Sequence, residues 1–505
     1  MPRFLARHGW LLAIAAAYLY IFPFFPTIHS ANELPRAYLV KAIVDDHSFE
    51  IDRGVAKWGA TADVSPSGGH QYSNKAPGSS LLAAPAYALA ETMVGEPSLA
   101  VTLWISRVVT GIVPTLLFLV LLWGFLERYA PDPAIRRLVI IAYALGSMAM
   151  TYSLLYYSHQ LGAVCIASAW ILAVDVAERR RGLRALIAAG LLAGAAPLAD
   201  YQAIFAAVPV AAYVVARMWT WPRHELVRAL ALATAAALVP IAVLLAYHAV
   251  CFGSPWRTGY DASTTFAHFH QQGFLGITRL RWVAFAGSTV SADNGLVTLA
   301  PWLLLAIPGG VLLARTDRRG PAIVAAAITV IYLLFVSSIN FWRGGWEVGP
   351  RYIIAMLPFL LPPIAAQLTA WQRRPLALGV AGAAIVVGVA IYALTSATFP
   401  YWPDTVDNPM YDVTLRLLAD NLVAPNLGGA LGVPGVLGLV PYLAIVGGLV
   451  GWAIVRVASW RGLAIAVGLG GAVLVAYRLF PRGDSEHAYQ FVRSAVTEAS
   501  PPPVR

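Results

Sequence analysis

Thirteen apolar runs separated by arginine clusters constrain this chain more than any single motif does. They fall at 10–28, 101–126, 137–155, 160–177, 184–199, 202–219, 229–250, 295–314, 321–339, 353–371, 376–396, 436–456 and 462–480. A helix needs about 20 apolar residues to cross a bilayer, and only helices and closed barrels satisfy their backbone there. With 59% hydrophobic and 12% charged residues, the chain is too apolar for a soluble core. The predicted fold class is an all-α polytopic membrane protein with about 13 transmembrane helices. The first run follows Arg3 and Arg7, is too long for a signal-peptide core, and lacks a clean small-residue cleavage site. It is expected to be a retained span with its N-terminus in the cytoplasm.

The arginines set the topology. If 79–94 does not cross, one side receives Arg128/Arg136/Arg137, Arg179/Arg180/Arg181/Arg184, Arg217/Arg223/Arg228, Arg315/Arg318/Arg319, Arg373/Arg374 and Arg456/Arg461. Such a bias marks the cytoplasmic side, so 79–94, with Pro85, reads as an interfacial or re-entrant helix. The formal net charge of +10 is therefore a membrane-loop signature rather than a nucleic-acid one. The expected organisation is a transmembrane domain over 1–480, with 30–100 as a long first extracytoplasmic loop carrying interfacial helices. A polar tail, 481–505, is expected to be disordered. The expected location is a bacterial inner membrane. Cys165 and Cys251 show no metal-ligand spacing, and no GxxxxGK[ST] loop or fixed-period repeat is present.

The outer side collects the polar motifs. The 30–78 loop holds all three lysines, Lys41, Lys57 and Lys75, together with Glu33, Asp45, Asp46, Glu50, Asp52 and Asp63. Glu33 sits just after the first span, where apolar surroundings would raise a carboxyl toward a working base; it can equally cap the helix starting near Leu34. Asp63, in a turn-rich stretch, is a second candidate acid or a metal ligand. Asp45, Asp46, Glu50 and Asp52 read as a solvated face. Lys75, in Tyr72-Ser73-Asn74-Lys75-Ala76-Pro77-Gly78, stands at a helix entrance where an ammonium and backbone N–H groups favour a lipid phosphate; the alternative is a snorkelling interfacial lysine. Arg343 and Arg351 lie on the face that disfavours cations, which calls for a phosphate partner or an internal pair with Glu347 or Asp200. Asp200, Tyr201, Tyr260, Trp346, Tyr352, Tyr157 and His159 are outer-face groups suited to a sugar pocket or, for the aromatics, to the interfacial belt. No His/Asp/Glu spacing resembles a metal site.

Asn32-Glu33…Arg36 after the first span, then Tyr72-x-x-Lys75-x-Pro77 before an interfacial helix, resembles the GT-C superfamily of integral-membrane glycosyltransferases. The nearest branch is that of protein O-mannosyltransferases and lipid A aminoarabinose transferases. The resemblance implies sugar transfer from a polyprenyl-phosphate donor to a lipid, glycan or protein acceptor on the extracytoplasmic face. It requires no cofactor and is compatible with a divalent metal. The family's first-loop Asp-Glu falls on Asn32-Glu33, and its Glu-Lys falls on Asn74-Lys75, so two acids of the pattern are amides here. The resemblance gives Lys75 the donor-phosphate role; Arg351 and Arg343, as outer-face cations, are expected to join it on the phosphate. Glu33, or Asp63, is left as the base, and Arg36, Tyr72, Asn74, His159, Asp200, Tyr201, Tyr260, Trp346 and Tyr352 as substrate-binding groups. Two alternatives stand: a non-catalytic binder or transporter of lipid-linked glycans, and a ligase moving a whole glycan.

Overall fold

The computed structural model describes residues 2–499, with side chains from Gly9 onward. Among these residues, eight helices are long and apolar enough to cross a membrane, and three shorter apolar helices, Gly9–Tyr20, Ala185–Ala199 and Pro301–Ala314, join them. The protein is an integral membrane protein. The run at 137–155 is met by the helix Pro133–Leu145 and the short Met148–Ser153. The last two runs form one helical stretch, Val440–Leu479, broken at Ser459, whose φ of 65° leaves the helical region. Every predicted run thus has a helical counterpart.

Burial sorts these helices. His159–Ala177 is wholly buried along its apolar window and Arg351–Ala370 is nearly so. Arg223–Phe252 and Val440–Leu479 expose most of theirs, with Leu238, Val239, Val467 and Val475 outward. Apolar side chains on an outward helix face are stable when the surrounding medium is lipid. The two innermost helices begin at the same end of the bundle, and their first residues, His159 and Arg351, reach one cavity there.

The first loop covers that end. It folds into the helices Leu34–Asp45 and Asp52–Trp58, an antiparallel hairpin of Val64–Ser67 with His70–Ser73, and the helix Gly78–Val94. The hairpin is a departure from the all-α expectation. Its turn is Gly68-Gly69, with φ of 58° and 90°, the left-handed pair that two-residue hairpin loops demand. The register pairs Val64 with Ser73, which brings Asp63 beside Asn74 and Lys75. Helix Gly78–Val94 is not among the span-forming helices. Its first glycine docks against the Ala185–Ala199 helix; a Cβ on Gly78 would lie 2.6 Å from the Leu198 carbonyl oxygen. That close approach seats the Lys75 segment next to Asp200.

The tail differs from expectation. Glu486–Ala499 is helical, with Tyr489, Val492, Ala495 and Val496 buried. Arg493 and Tyr489 hold Asp420, and Phe491 meets Trp346 edge-on at 5.8 Å. An apolar stripe spaced 3–4 residues apart is what a helix needs to dock. Residues 500–505 lie outside the described residues.

Candidate active site

A cavity of about 470 Å³ opens between the first loop, the starts of the two central helices and the 341–346 turn. Its wall carries Arg36, Asp63, Lys75, His159, Asp200, Tyr201, Tyr260, Trp346, Arg351 and Tyr352. These residues span more than 300 positions of sequence and meet at one place.

Three cations face the cavity in different electrical states. Lys75 Nζ lies 2.8 Å from Asp63 Oδ2 and 5.4 Å over the Tyr260 ring. Burial pushes its ammonium down to about 8, against the opposing pull of Asp63 and together with Arg36. Arg351 Nε stands 2.9 Å from Glu347 Oε2, close enough for charge attraction but not aligned as a hydrogen bond. Its Nη2 donates to the Gly344 carbonyl, and its guanidinium lies 4.9 Å over Tyr157. Arg36 is held by neutral groups: Nε donates to Ser158 Oγ at 2.9 Å and Nη1 donates to the Asn32 carbonyl at 2.6 Å. Ser158 itself adopts φ 65° at the head of the His159 helix, a conformation a non-glycine residue holds only when its surroundings fix it. No ion pair of Arg36 is present among the described residues, although the charges of Asp200 and Asp63 act on it.

The carboxylates divide in the same way. Asp63 accepts from Asn74 Nδ2 at 3.2 Å and pairs with Lys75 while lining the cavity. Asp200 holds His159 Nδ1 at 2.9 Å. Burial pushes the Asp200 carboxyl up, but the charge and hydrogen bond of His159 carry it below its ordinary value. His159 Nε2 is buried without a partner. His270, also in the wall, is held at about 4 by burial and by Lys75, and so stays neutral near pH 7.

Glu33 does not reach this cavity. Arg107 grips both its oxygens at 3.0 Å, Tyr401 donates to Oε2 at 2.6 Å and the Tyr156 amide to Oε1 at 2.5 Å. Both partners are buried. A carboxylate with four donors on it has no lone pair left for an acceptor proton, so the expectation that Glu33 is the base is corrected to a structural ion pair. Glu33 stands at the N-cap position of the Leu34–Asp45 helix, but its side chain makes no cap bond. Arg343 is also displaced from its expected place: it pairs with Asp293 in a separate small cleft. Tyr72 packs on Phe252 in the satellite core, and Asn74 is fully buried behind Asp63; neither lines the cavity. His29, Ser30, Phe266, Phe269, Phe341, Tyr401 and Asp404 line it unforeseen. Among the described residues, one cluster has metal-ligand spacing, Glu50, Asp52 and His70. It sits at the exposed outer edge of the hairpin, away from the cavity wall.

The cavity thus offers a buried cation set, a paired carboxylate and aromatic walls, capped by a first loop on a helical membrane bundle. That architecture has a counterpart among solved membrane proteins. The chain superposes on ArnT from Cupriavidus metallidurans bound to undecaprenyl phosphate, with a TM-score of 0.50 and 15% identity over 92% of this chain and 78% of that one. The apo state of the same protein aligns at a TM-score of 0.47 and 14% identity, over 93% and 78%. No family model matches the chain, and no curated protein sequence matches it.

Proposed function

We propose that the protein is an inverting glycosyltransferase that takes a sugar from a polyprenyl-phosphate donor and passes it to a membrane-proximal acceptor. The observation that carries this reading is Arg36, buried with only neutral partners beside Lys75 and Arg351 on one cavity wall. Such a wall suits a phosphate diester whose charge grows as it leaves. Undecaprenyl phosphate in the superposed ArnT supports the same donor class. The arginine-rich loops lie at the other end of the bundle, which supports an extracytoplasmic cavity in a bacterial inner membrane.

In this reading the donor phosphate draws Lys75 away from Asp63, and the freed carboxylate accepts the acceptor's hydroxyl proton. The acceptor oxygen bonds to the anomeric carbon as the carbon–oxygen bond to phosphate breaks. The leaving polyprenyl phosphate gains one negative charge, and Arg36, Lys75 and Arg351 stabilise it in place of water. Asn74 orients Asp63. Tyr201, Tyr260, Trp346 and Tyr352 supply ring faces for the sugar, and the His159–Asp200 pair supplies a hydrogen-bonding edge. A cavity of about 470 Å³ suits one monosaccharide phosphate rather than a whole glycan.

The test is turnover by the purified protein with undecaprenyl-phosphate hexoses or pentoses and an extracted envelope acceptor fraction. Release of undecaprenyl phosphate that depends on Asp63 is expected. Transfer unchanged in Asp63→Asn would sink the mechanism.

A further inference from the structure

We propose a second anion-binding site, for the phosphate of an anionic phospholipid headgroup, at the opposite end of the bundle. A cavity of about 770 Å³ lies there, between the ends of the Leu99–Leu126, His159–Ala177 and Tyr201–Met218 helices and the 314–321 connection. The His159–Ala177 helix has His159 at one cavity and Glu178, one residue past its end, at the other. Its 19 residues separate the two by about 28 Å, so this is not an extension of the candidate active site.

Six arginines and two carboxylates line the second cavity. Positive loops on one side of a membrane are expected from topology alone, but those cations are ordinarily solvated and dispersed. Here they converge, and one of them is buried. Arg128 is 8% exposed. Its Nη2 is taken by Asp175, and its ring-like face lies 4.7 Å from Phe125. Its Nε and Nη1 have no hydrogen-bond partner; its second carboxylate neighbour, Glu178, is 3.6 Å from Nε, beyond hydrogen-bond reach. Glu178 also faces Arg180 at 3.2 Å. Asp175 is shared with Arg181. The remaining acid of the wall, Asp317, stands among Arg315, Arg318 and Arg319.

Arg318 donates to the Arg128 carbonyl, which draws the connection over the cavity and sets its arginines facing Arg128 and Arg217. Two unmet, buried guanidinium donors inside a ring of excess positive charge fit a phosphate oxygen, which accepts from several N–H groups at once. The rim favours a lipid as its source. Ile323, at the start of a span, is exposed beside the arginines, so a headgroup in the cavity would leave its acyl chains against an apolar helix face.

The experiment is a thermal-shift titration of the purified, delipidated protein with phosphatidylglycerol and, separately, with inorganic phosphate. Three proteins are compared: wild type, Lys75→Gln, and the combined Arg217→Gln/Arg315→Gln/Arg319→Gln variant. The three arginines are exposed and make no contact with the candidate active site, so the variant's unliganded midpoint serves as its folding control. Each arginine near an anionic surface is worth roughly fivefold in binding, so affinity for phosphatidylglycerol should fall about a hundredfold in the triple variant and hold in Lys75→Gln. The same pattern with inorganic phosphate would support the site with a soluble anion as its occupant. A triple variant that binds both probes as wild type does, or a wild type that binds neither, would overturn the proposal.

Discussion

Glu33 and Asp63 are both buried acids of the first loop, each paired with one cation, yet they stand in different chemical positions. Glu33 lies in a closed knot: Arg107, Tyr401 and a backbone amide together occupy both oxygens. Asp63 lies on a cavity wall, and its partner Lys75 lines the same cavity. The lesson is that a buried carboxylate's role follows from whether its partner can leave. A partner fixed on all sides makes a brace; a partner facing a cavity leaves the carboxylate open to exchange.

The largest expected effect is on turnover. On the proposed mechanism Asp63→Asn removes the proton acceptor and should lower kcat by roughly 10²–10⁴-fold per folded molecule, while the stranded, buried Lys75 also lowers the thermal midpoint; steady-state kinetics beside a melting curve would check both. Glu33→Gln should also lower the midpoint but keep kcat within a few-fold of wild type per folded molecule. Should Glu33→Gln abolish kcat at unchanged stability, the comparison is reversed. Next comes Arg107→Ala, which strands Glu33 without a charge partner. Breaking such a buried pair costs about 3–5 kcal/mol, measurable by denaturation in detergent or as failure to accumulate.

A smaller effect concerns pH. Lys75 is pushed down to about 8 in the folded protein, below the ordinary lysine value. Between those two values the unfolded chain holds the proton and the folded one does not, so this group makes the fold more stable as pH rises from about 8. Donor binding runs the other way, because a neutral lysine does not attract phosphate. The donor Kd should therefore rise above pH 8 and level off near that of Lys75→Gln, whose own dependence should be flat. The smallest effect belongs to the tail. Removing 486–505 takes Phe491 from Trp346 and should raise the donor KM by roughly two- to fivefold, with kcat little changed.

Much of this arrangement could be read from the residues. The apolar runs and the arginine bias gave the bundle, and the Tyr72–Gly78 motif pointed at Lys75. The two-residue Gly68-Gly69 turn also carried more than was drawn from it: counting outward pairs position 64 with 73 and delivers Asp63 to Lys75. What stayed hidden was pairing across long separations. Glu33 looked free because its partner lies 74 positions on. The signal was there, since an arginine at the head of a span calls for a buried acid. Arg343 and Arg351, alike in sequence, part company because the 341–350 turn aims one at Asp293 and the other at Glu347 beside the cavity. The tail reads as polar and ends in prolines, yet Tyr489, Val492 and Val496 mark a buried stripe.

On the proposed function, Arg36, Lys75 and Arg351 hold a lipid phosphate within reach of Asp63. The most direct test is the affinity of purified protein for undecaprenyl phosphate, measured for wild type, Lys75→Gln and Arg36→Gln at pH 7. A loss of about tenfold or more in each variant is expected, since a charge-assisted hydrogen bond to a buried anion contributes roughly 1.5–3 kcal/mol. Equal binding by all three proteins, with each variant folded, would contradict it.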